Sequence, residues 1–357
     1  MFTSSKKWLF SMLIILCLIL VTFGSIIIVV DPYFHYHKPL AGLYYTLDNE
    51  RSQNDGIIRH FDYDAIITGT SMAENFKTSE MDDIFGVNSI KVTFAGGSYN
   101  EINENLEKAL KLHPEVKTVV RPLDYSYLMD PADRTREDLG TYPDYLYDNN
   151  PFNDVNYFFN KSILFDICLP MIEDAMSGKD GGITSFDDYS NWMDTAEFGP
   201  AAALGDRTSF SEPTTKEPFV DELKEATKEN ITKNGIERAQ ANPDVQFYYY
   251  FTPYSVAWWG GVYEEGTMYR WIAAEQYAIE LMLECDNIHL YSFNTEFDLT
   301  TDLNNYSDEC HHGDWINSQI LGWLYSGNYL LTKDNYMEYI NEETQYYESF
   351  DYNSLFE

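Results

Sequence analysis

The longest uncharged segment of the chain runs from Trp8 to Val30 and contains 23 residues, preceded by two lysines. A helix needs roughly 20 apolar residues to cross a bilayer, and the positive-inside rule keeps flanking lysines in the cytoplasm. A cleaved signal peptide is the alternative, but its apolar region is shorter and ends in small residues, whereas this segment continues past Gly24-Ser25. We therefore predict a single-pass anchor in the cell membrane, with the rest of the chain extracytoplasmic.

The chain is strongly acidic, with 58 Asp and Glu against 23 Lys and Arg and a formal net charge of −35 at pH 7. This balance argues against nucleic acid as a partner, because a groove that follows phosphates needs clustered basic side chains. An acidic solvated surface is the simpler interpretation. Hydrophobic residues make up 44% of the chain and aromatic residues 16%, which is typical of a folded core and not of a disordered chain.

After residue 60, short apolar segments alternate with amphipathic ones. The pattern predicts strands at 64–68, 89–95, 117–123, 245–251 and 288–293, and helices that include 72–85, 100–112, 264–285 and 314–324. Such alternation is typical of parallel strands with helices on both faces. We therefore predict an α/β fold, a flavodoxin-like three-layer sandwich with a parallel five-stranded sheet.

Residues 126–244 interrupt this alternation with a polar, acidic and aromatic segment. Because loops of this length are normally functional or carry their own helices, we predict a large, mostly helical insertion that caps the carboxyl edge of the sheet, with its helices at 155–176 and 218–241. A tolerated surface insertion is the alternative. The predicted organisation is a cytoplasmic stub and anchor at 1–30, a juxtamembrane segment at 31–60, a globular domain at 61–340 and a tail at 341–357.

Two short motifs carry the residue types of nucleophilic catalysis. Ser71, in Gly69-Thr70-Ser71, follows the first predicted strand, where the N–H groups of the next helix can face an anion. Asp308 and His311 lie on a loop after the last predicted strand, and a carboxylate that orients a histidine base activates a hydroxyl. A structural role for His311 is the alternative.

The order of these motifs resembles that of the SGNH, or GDSL-like, hydrolase family. Gly69-Thr70-Ser71 stands where the family has Gly-Asp-Ser, and Gly96 or Gly97 stands where it has a glycine after the second strand. Asp308-x-x-His311 matches the family's Asp-x-x-His near the carboxyl terminus. The resemblance covers about residues 60–125 and 245–325, but not the insertion.

The resemblance implies a serine esterase or acyltransferase that needs no cofactor. Ser71 would attack an acyl carbonyl, His311 would take its proton, and Asp308 would orient the imidazole. The N–H groups of Ser71 and of Gly97 or Gly96 would form the oxyanion hole. Water as acceptor would give an esterase, and a sugar hydroxyl would give a transferase.

The sequence departs from the family after the third predicted strand. Where the family usually has Gly-x-Asn-Asp, this chain has Arg121-Pro122-Leu123-Asp124-Tyr125, so the asparagine that donates to the oxyanion is missing. The loss of one such donor typically costs roughly 3 kcal/mol. Asp124 and Tyr125 are candidates for substrate binding, as are Trp258 and Trp259 by stacking on a sugar face. Packing inside the protein is the alternative for the two tryptophans.

The anchor and the varied third block are similar to those of the bacterial surface branch of the family, which acts in O-acetylation of exopolysaccharides such as alginate and in D-alanylation of teichoic acids. This similarity implies an acylated cell-envelope glycan as substrate and a membrane-bound acyltransferase as partner. The alternative is a catalytically weakened relative that binds glycan or helps to assemble an envelope complex.

The loop around Asp308 offers two further interpretations. His312 competes with His311 as the base, but only His311 has the three-residue offset from Asp308 that lets carboxylate and imidazole face each other on one turn. Cys310 and the two histidines are also metal-ligand types. No second cluster with paired ligand spacing accompanies them, so we predict no metal site.

Overall fold

The computed structural model describes residues 2–139 and 142–357, and the chain divides into two compact units. The first, called the N-terminal unit, combines Met1–Phe61 with Thr141–Ser185. The second, called the sheet unit, combines Asp62–Gly140 with Phe186–Glu357. The segment 126–244, which we predicted as one insertion, is therefore divided between the two units.

The sheet unit is built on five parallel strands. They are β1 (Ala65–Gly69), β2 (Ser89–Thr93), β3 (Thr118–Leu123), β4 (Gln246–Phe251) and β5 (Ile288–Ser292). Their order across the sheet is β2-β1-β3-β4-β5, and every neighbouring pair is parallel. All residues of β1 and β2 are buried, as in parallel sheets whose two faces are both covered. The predicted α/β fold with a parallel five-stranded sheet is confirmed.

Helices connect these strands in the sheet unit. The helix Tyr99–Leu112 shows why the sequence forms such an element: it begins with a capping box between Ser98 and Glu101, and it buries Ile102 and Leu106. The α-helices are Ser71–Glu74, Thr78–Phe85, Tyr99–Leu112, Tyr125–Leu128, Pro200–Leu204, Asp221–Ile231, Glu237–Ala241, Val256–Glu264, Met268–Met282, Phe297–Thr300, Asp314–Ser326 and Tyr336–Ser349. Short 3₁₀ turns lie at Glu137–Leu139, Met193–Thr195, Leu303–Asn305 and Tyr352–Phe356.

The helical stretch between β3 and β4 belongs to the sheet. Asp221–Ile231 continues through a π-helical stretch, Thr232–Ile236, into Glu237–Ala241, and it packs against the helices Tyr99–Leu112 and Met268–Met282. Parallel strands need a crossover of this kind. The predicted helix at 218–241 is therefore present, but the prediction that it caps the carboxyl edge is wrong.

The carboxyl-terminal residues are packed and do not form the tail predicted at 341–357. Tyr336–Ser349 is a helix in which Tyr347 is fully buried, and the ring of Tyr347 stacks on that of Trp259 at 4.4 Å. The following 3₁₀ turn buries Tyr352, whose hydroxyl donates to the backbone carbonyl of Tyr347 at 2.7 Å. This segment is part of the core of the sheet unit.

The N-terminal unit begins with a long apolar helix. Within Phe2–Val30, the stretch Ser5–Val30 is long and apolar enough to span a membrane, a criterion that a signal sequence also meets. The other helices are Glu50–His60, Asp144–Tyr147, Val155–Phe158 and the π-helical Ile163–Cys168, which continues into Leu169–Met176. Two-residue strands, Tyr44–Tyr45 and Gly182–Ile183, pair in parallel.

The last turns of the N-terminal helix form part of a core. Ile27 and Val30 are buried together with Tyr157, Ile163 and Leu164. The predicted helical segment 155–176 is thus helical over most of its length, and within this unit it packs against the N-terminal helix. It supplies four buried residues of this cluster, Tyr157, Ile163, Leu164 and Cys168.

Asp31 ends the N-terminal helix in a fixed turn. Its backbone adopts a left-handed conformation with φ of +47°, and its carboxylate accepts hydrogen bonds from the backbone N–H groups of His35, Tyr36 and His37 at 2.7 to 3.0 Å. The hydroxyl of Tyr157 donates to the same carboxylate at 2.7 Å. The buried charge is therefore fully hydrogen-bonded, as a buried carboxylate must be.

Candidate active site

Ser71 is the first residue of the helix that follows β1. Thr70 caps this helix, since its hydroxyl accepts a hydrogen bond from the N–H of Met72 at 3.3 Å. Gly69 makes the turn possible: its φ is +153°, and a Cβ at this position would lie 2.6 Å from Cγ of Pro122. The sharp turn leaves the Ser71 side chain at the carboxyl edge of the sheet, where ligands bind in folds of this class.

A hydrogen-bonded relay joins Ser71 to the loop after β5. The Oγ atom of Ser71 lies 2.7 Å from Nε2 of His311, and Nδ1 of His311 lies 2.6 Å from Oδ2 of Asp308. The structure thus brings together the three predicted residues, of which Ser71 and His311 are 240 positions apart.

The loop holds the relay in one protonation pattern. Oδ1 of Asp308 accepts the backbone N–H groups of Cys310 at 2.7 Å and His311 at 2.8 Å, which fixes the turn. The carboxylate can only accept, so Nδ1 of His311 carries the proton that it donates to Asp308. Nε2 is therefore free to accept the hydroxyl proton of Ser71, as a general base must.

The pKa values of the pair support ionised Asp308 and a basic His311. Burial raises the pKa of Asp308, but the hydrogen bonds and charge of His311 outweigh it and lower this pKa to about 2. Burial also lowers the pKa of His311, while the hydrogen bond and charge of Asp308 raise it by more, so the pKa lies above the usual 6.5. Asp308 is therefore charged throughout the pH range in which His311 titrates.

We expect ester turnover to rise with pH and to level off above the raised pKa of His311. Only neutral imidazole can take the proton of Ser71, and protonated His311 predominates below that pKa. The measurement is kcat/KM for a small acetyl ester between pH 5 and 9. An inflection below pH 6.5, or a rate that does not depend on pH, would contradict the assignment of His311 as the base.

The predicted oxyanion donors are only partly assembled. The N–H of Gly97 donates to the carbonyl of Phe94 at 2.8 Å in a tight turn, so the prediction that Gly97 contributes is wrong in this structure. Among the described residues, the N–H groups of Ser71 and Gly96 donate no hydrogen bond, but Gly96 does not line the cavity beside Ser71. The N–H of Ser71 is thus the one predicted donor at that cavity.

Asp124 supports the Ser71 turn and does not face substrate. Its carboxylate is buried and accepts the hydroxyls of Thr70 at 2.8 Å and Tyr254 at 3.0 Å. Burial raises its pKa, and these hydrogen bonds partly counter the rise. Because Thr70 caps the helix of Ser71, Asp124 is a positioning residue, and its prediction as a substrate-binding residue is wrong.

Tyr125 is also fully buried, so its prediction as a substrate-binding residue is wrong, and it cannot replace the missing asparagine donor. Its hydroxyl donates to Oε2 of Glu275 at 2.5 Å and also contacts the side-chain amide of Asn294. Glu343 joins the same network through a 2.9 Å hydrogen bond from Asn294. Burial raises the pKa values of both glutamates. Tyr125 therefore belongs to an interior polar network.

The two predicted sugar-stacking tryptophans are core residues. Trp259 is fully buried in its stack on Tyr347, and Trp258 packs between the rings of Tyr125 and Tyr254 at 5.4 and 5.0 Å. The alternative of internal packing is therefore correct for both. Their helix, Val256–Glu264, is nearly apolar on all sides, as expected of a buried helix.

The cavity beside Ser71 contains residues that the sequence did not single out. It has a volume of about 530 Å³, and besides the relay it is lined by Glu74, Trp192, Thr195, Ala196, Glu197, Ala202 and Ser307. Trp192 meets the ring of His311 edge to face, with centroids 5.6 Å apart, and its backbone N–H donates to Oδ1 of Asn75 at 3.1 Å. The aromatic content of 126–244 was the only sequence signal for this wall.

Part of the predicted cap is therefore real: the stretch from Trp192 to Ala202 forms one wall of the cavity. No model of a known protein family matches this chain, and no curated protein matches it significantly in sequence. The function is accordingly inferred from the geometry of the site.

Proposed function

We propose that the protein is an SGNH-type, or GDSL-like, serine acyl esterase or O-acyltransferase that acts outside the cytoplasm on acyl groups of cell-envelope glycans. The observation that carries the proposal is the relay of Ser71, His311 and Asp308, with hydrogen bonds of 2.7 and 2.6 Å. The strand order β2-β1-β3-β4-β5 supports it, because flavodoxin-like sandwiches share this order and bind ligands at the same edge.

The geometry supports a two-step mechanism. In the first step, Oγ of Ser71 bonds to the acyl carbon while Nε2 of His311 takes its proton and Asp308 stabilises the imidazolium. His311 then returns the proton to the leaving alcohol as its bond to the acyl carbon breaks, which leaves an acyl-serine. In the second step, water or a sugar hydroxyl gives its proton to His311 and attacks the acyl carbon. The bond from that carbon to Oγ of Ser71 then breaks, His311 returns the proton to Oγ, and the free acid or the acylated sugar leaves.

The cavity beside the relay supports a substrate with a small acyl group and no negative charge. About 530 Å³ is enough for more than an acetyl group. Trp192 offers an aromatic surface, and Glu197 and Thr195 offer hydrogen-bonding groups to an acceptor. The lining residues include carboxylates but neither Lys nor Arg, so an anionic group would lack a partner there. The family resemblance adds a membrane-bound acyltransferase as the source of acyl groups.

A glycan-binding or assembly protein with a weakened site is the second candidate. The N–H of Gly97 is engaged by Phe94, and the asparagine donor of the family is missing, so one predicted donor remains at the cavity. Removal of one oxyanion donor lowers kcat by roughly a hundredfold to a thousandfold. Such a site would accumulate an acyl-serine far more slowly than an active enzyme, so the extent of covalent labelling at Ser71 separates the two candidates.

The test is covalent labelling of Ser71 in the purified full-length chain. We expect incubation with 4-nitrophenyl acetate or a fluorophosphonate to add one acyl or phosphonyl group, which mass spectrometry locates on the peptide that contains Ser71. The Ser71→Ala variant should remain unmodified, and Ser354→Ala, which removes an exposed hydroxyl outside the cavity, should label normally. Binding of acetylated glycan without any adduct on Ser71 would favour the second candidate and reject the first.

We also propose that the N-terminal helix is a retained single-pass anchor. Support comes from the core of the N-terminal unit, in which Ile27 and Val30 pack with Tyr157, Ile163 and Leu164. Cleavage near Ser25 would remove the helix that holds Ile27 and Val30 in this core. A signal sequence, by contrast, has no packing role in the mature protein.

We expect the mature protein to be recovered from the membrane fraction with residues 8–30 intact. Intact mass measurement, together with a reporter fused after Glu357 that is active only when exported, tests retention and orientation. The core packing of Ile27 gives the physical reason for retention. Recovery of a soluble form that begins near Ser25 would contradict the proposed anchor.

A further inference from the structure

We propose that residues 152–176 of the N-terminal unit form a second membrane contact, lying in the outer interface of the bilayer beside the N-terminal helix. The inference rests on the proposed anchoring of that helix. The proposed partner of this segment is lipid, namely the boundary between acyl chains and headgroups in the bilayer around the anchor.

Two phenylalanines of this segment lie against the anchor and remain half exposed. The ring of Phe159 would be 3.8 Å from a Cβ added at Gly24, and the ring of Phe165 meets that of Phe23 edge to face with centroids 5.9 Å apart. Yet Phe159 is 48% exposed and Phe165 is 53% exposed. Side chains that contact a membrane-spanning helix and are not covered by protein are exposed to the lipid around that helix.

The contacts lie at the depth of an interfacial element. Phe23 and Gly24 precede the helix end at Val30 by six or seven residues, which is about 10 Å along the axis at 1.5 Å per residue. Interfacial helices bury their apolar faces about 5–10 Å into the boundary between headgroups and acyl chains. If Val30 lies at the outer surface of the membrane, Phe159 and Phe165 lie in this zone.

An apolar surface continues from these rings along the same segment. Leu169 is 37% exposed and Met176 is 84% exposed, and Ile172 lines a cavity of about 390 Å³ with residues of the last turns of the anchor. The hydroxyl of Thr22, one polar group of that cavity, already donates to the carbonyl of Leu18 at 2.8 Å. An acyl chain therefore fits the cavity without leaving that donor unpaired.

The segment has the composition of an element that lies on the membrane and does not cross it. Lys161, Asp166 and Glu173 are all exposed within it, and charges of this number are not tolerated across a hydrocarbon core. Continuity with the anchor favours lipid over a soluble partner, because Ser5–Val30 is itself apolar and mostly uncovered by protein. The two surfaces form one apolar region within the unit.

Photolabelling of the full-length protein in vesicles tests the proposal. The vesicles contain phosphatidylcholine, phosphatidylglycerol and a trace of phospholipid with a diazirine in its acyl chain. After irradiation, we expect mass spectrometry to find lipid adducts on peptides from the N-terminal helix and from 152–176.

A variant with Leu169→Asp and Met176→Asp should lose at least fivefold in adducts within 152–176 and keep those on the N-terminal helix. Both side chains are exposed, so the fold should persist, which circular dichroism checks. Tyr325→Asp, an exposed aromatic changed in the same way, should leave both adduct sets unchanged. Adducts confined to the N-terminal helix would overturn the inference and leave the anchor. Absence of adducts from both segments would overturn the anchor and the inference together.

Discussion

Ser71→Ala and His311→Ala are each expected to lower turnover of a small acetyl ester by on the order of a thousandfold or more. The hydroxyl and the imidazole act as one unit across a 2.7 Å hydrogen bond, so removal of either leaves the other without a role. The measurement is the rate of hydrolysis by the purified full-length chain and its variants at equal concentration. Small, equal losses at the two positions would mean that Ser71 is not the nucleophile.

His312→Ala is the matched control for His311. The ring of His312 is buried, and burial lowers its pKa to about 4, so the neutral form predominates at neutral pH. Its Nδ1 lies 3.4 Å from the carbonyl of Gly313, and among the described residues it makes no hydrogen bond to Ser71 or Asp308. We expect a loss of stability from the cavity but only a small loss of turnover. A severe loss here, with His311 tolerated, would reassign the base.

Asp308→Asn is expected to lower turnover by roughly a thousandfold to ten-thousandfold, the scale seen when an orienting carboxylate is replaced by its amide. An asparagine amide can donate to Nδ1 of His311, which moves the imidazole proton to Nε2 and blocks acceptance of the Ser71 proton. The substitution keeps an oxygen for the backbone N–H groups of Cys310 and His311, so the loop should hold. Hydrolysis rates and melting temperatures separate catalysis from folding.

Asp302→Asn provides the comparison for Asp308→Asn. Asp302 precedes the same loop and accepts the backbone N–H of Asn304 at 3.1 Å, but it has no contact with the relay. Its replacement should change turnover by less than a few fold. If Asp308→Asn also retained activity within tenfold, the carboxylate would be a structural feature of the loop and not the partner of a catalytic histidine.

The sheet was predictable because its signals are local. The first strand was predicted at 64–68 and observed at Ala65–Gly69, since an apolar run followed by glycine decides strand and turn together. The helix predicted at 72–85 is instead interrupted between Glu74 and Thr78. Buried Lys91 of β2 donates to the backbone carbonyls of Glu74 and Phe76, so a distant side chain binds groups that a continuous helix would use itself.

The packing of the helices in segment 126–244 depends on residues that are far away in the sequence. Tyr157, Ile163 and Leu164 read as an ordinary apolar pattern, and only the structure shows that they pack on Ile27 and Val30. No periodicity within a segment indicates which other apolar surface will cover it. The apolar patterns therefore predicted helices here but misassigned what they cover.

The candidate site likewise contains residues that could be predicted from local motifs and residues that could not. Ser71, Asp308 and His311 were predictable because each motif fixes its own geometry within three residues. The wall of the cavity was not, since Trp192 is held by Asn75 from a segment more than a hundred residues away. The prediction of Gly97 as an oxyanion donor was wrong for a local reason. Its N–H donates to the carbonyl of Phe94 in a tight turn, and nothing in the sequence Gly96-Gly97 distinguishes this turn from an open loop.

The N-terminal unit is made from two segments of the chain, and the residues of strands β1, β2 and β3 come between these segments in the sequence. During synthesis Ile27 and Val30 leave the ribosome first, yet their partners Ile163 and Leu164 follow about 130 residues later. At roughly 5–20 residues per second this interval is on the order of ten seconds. The apolar side chains of Ile27 and Val30 therefore lack these partners for that interval. Under the proposed anchoring, a nascent helix inserted in the bilayer would keep them in lipid and away from water.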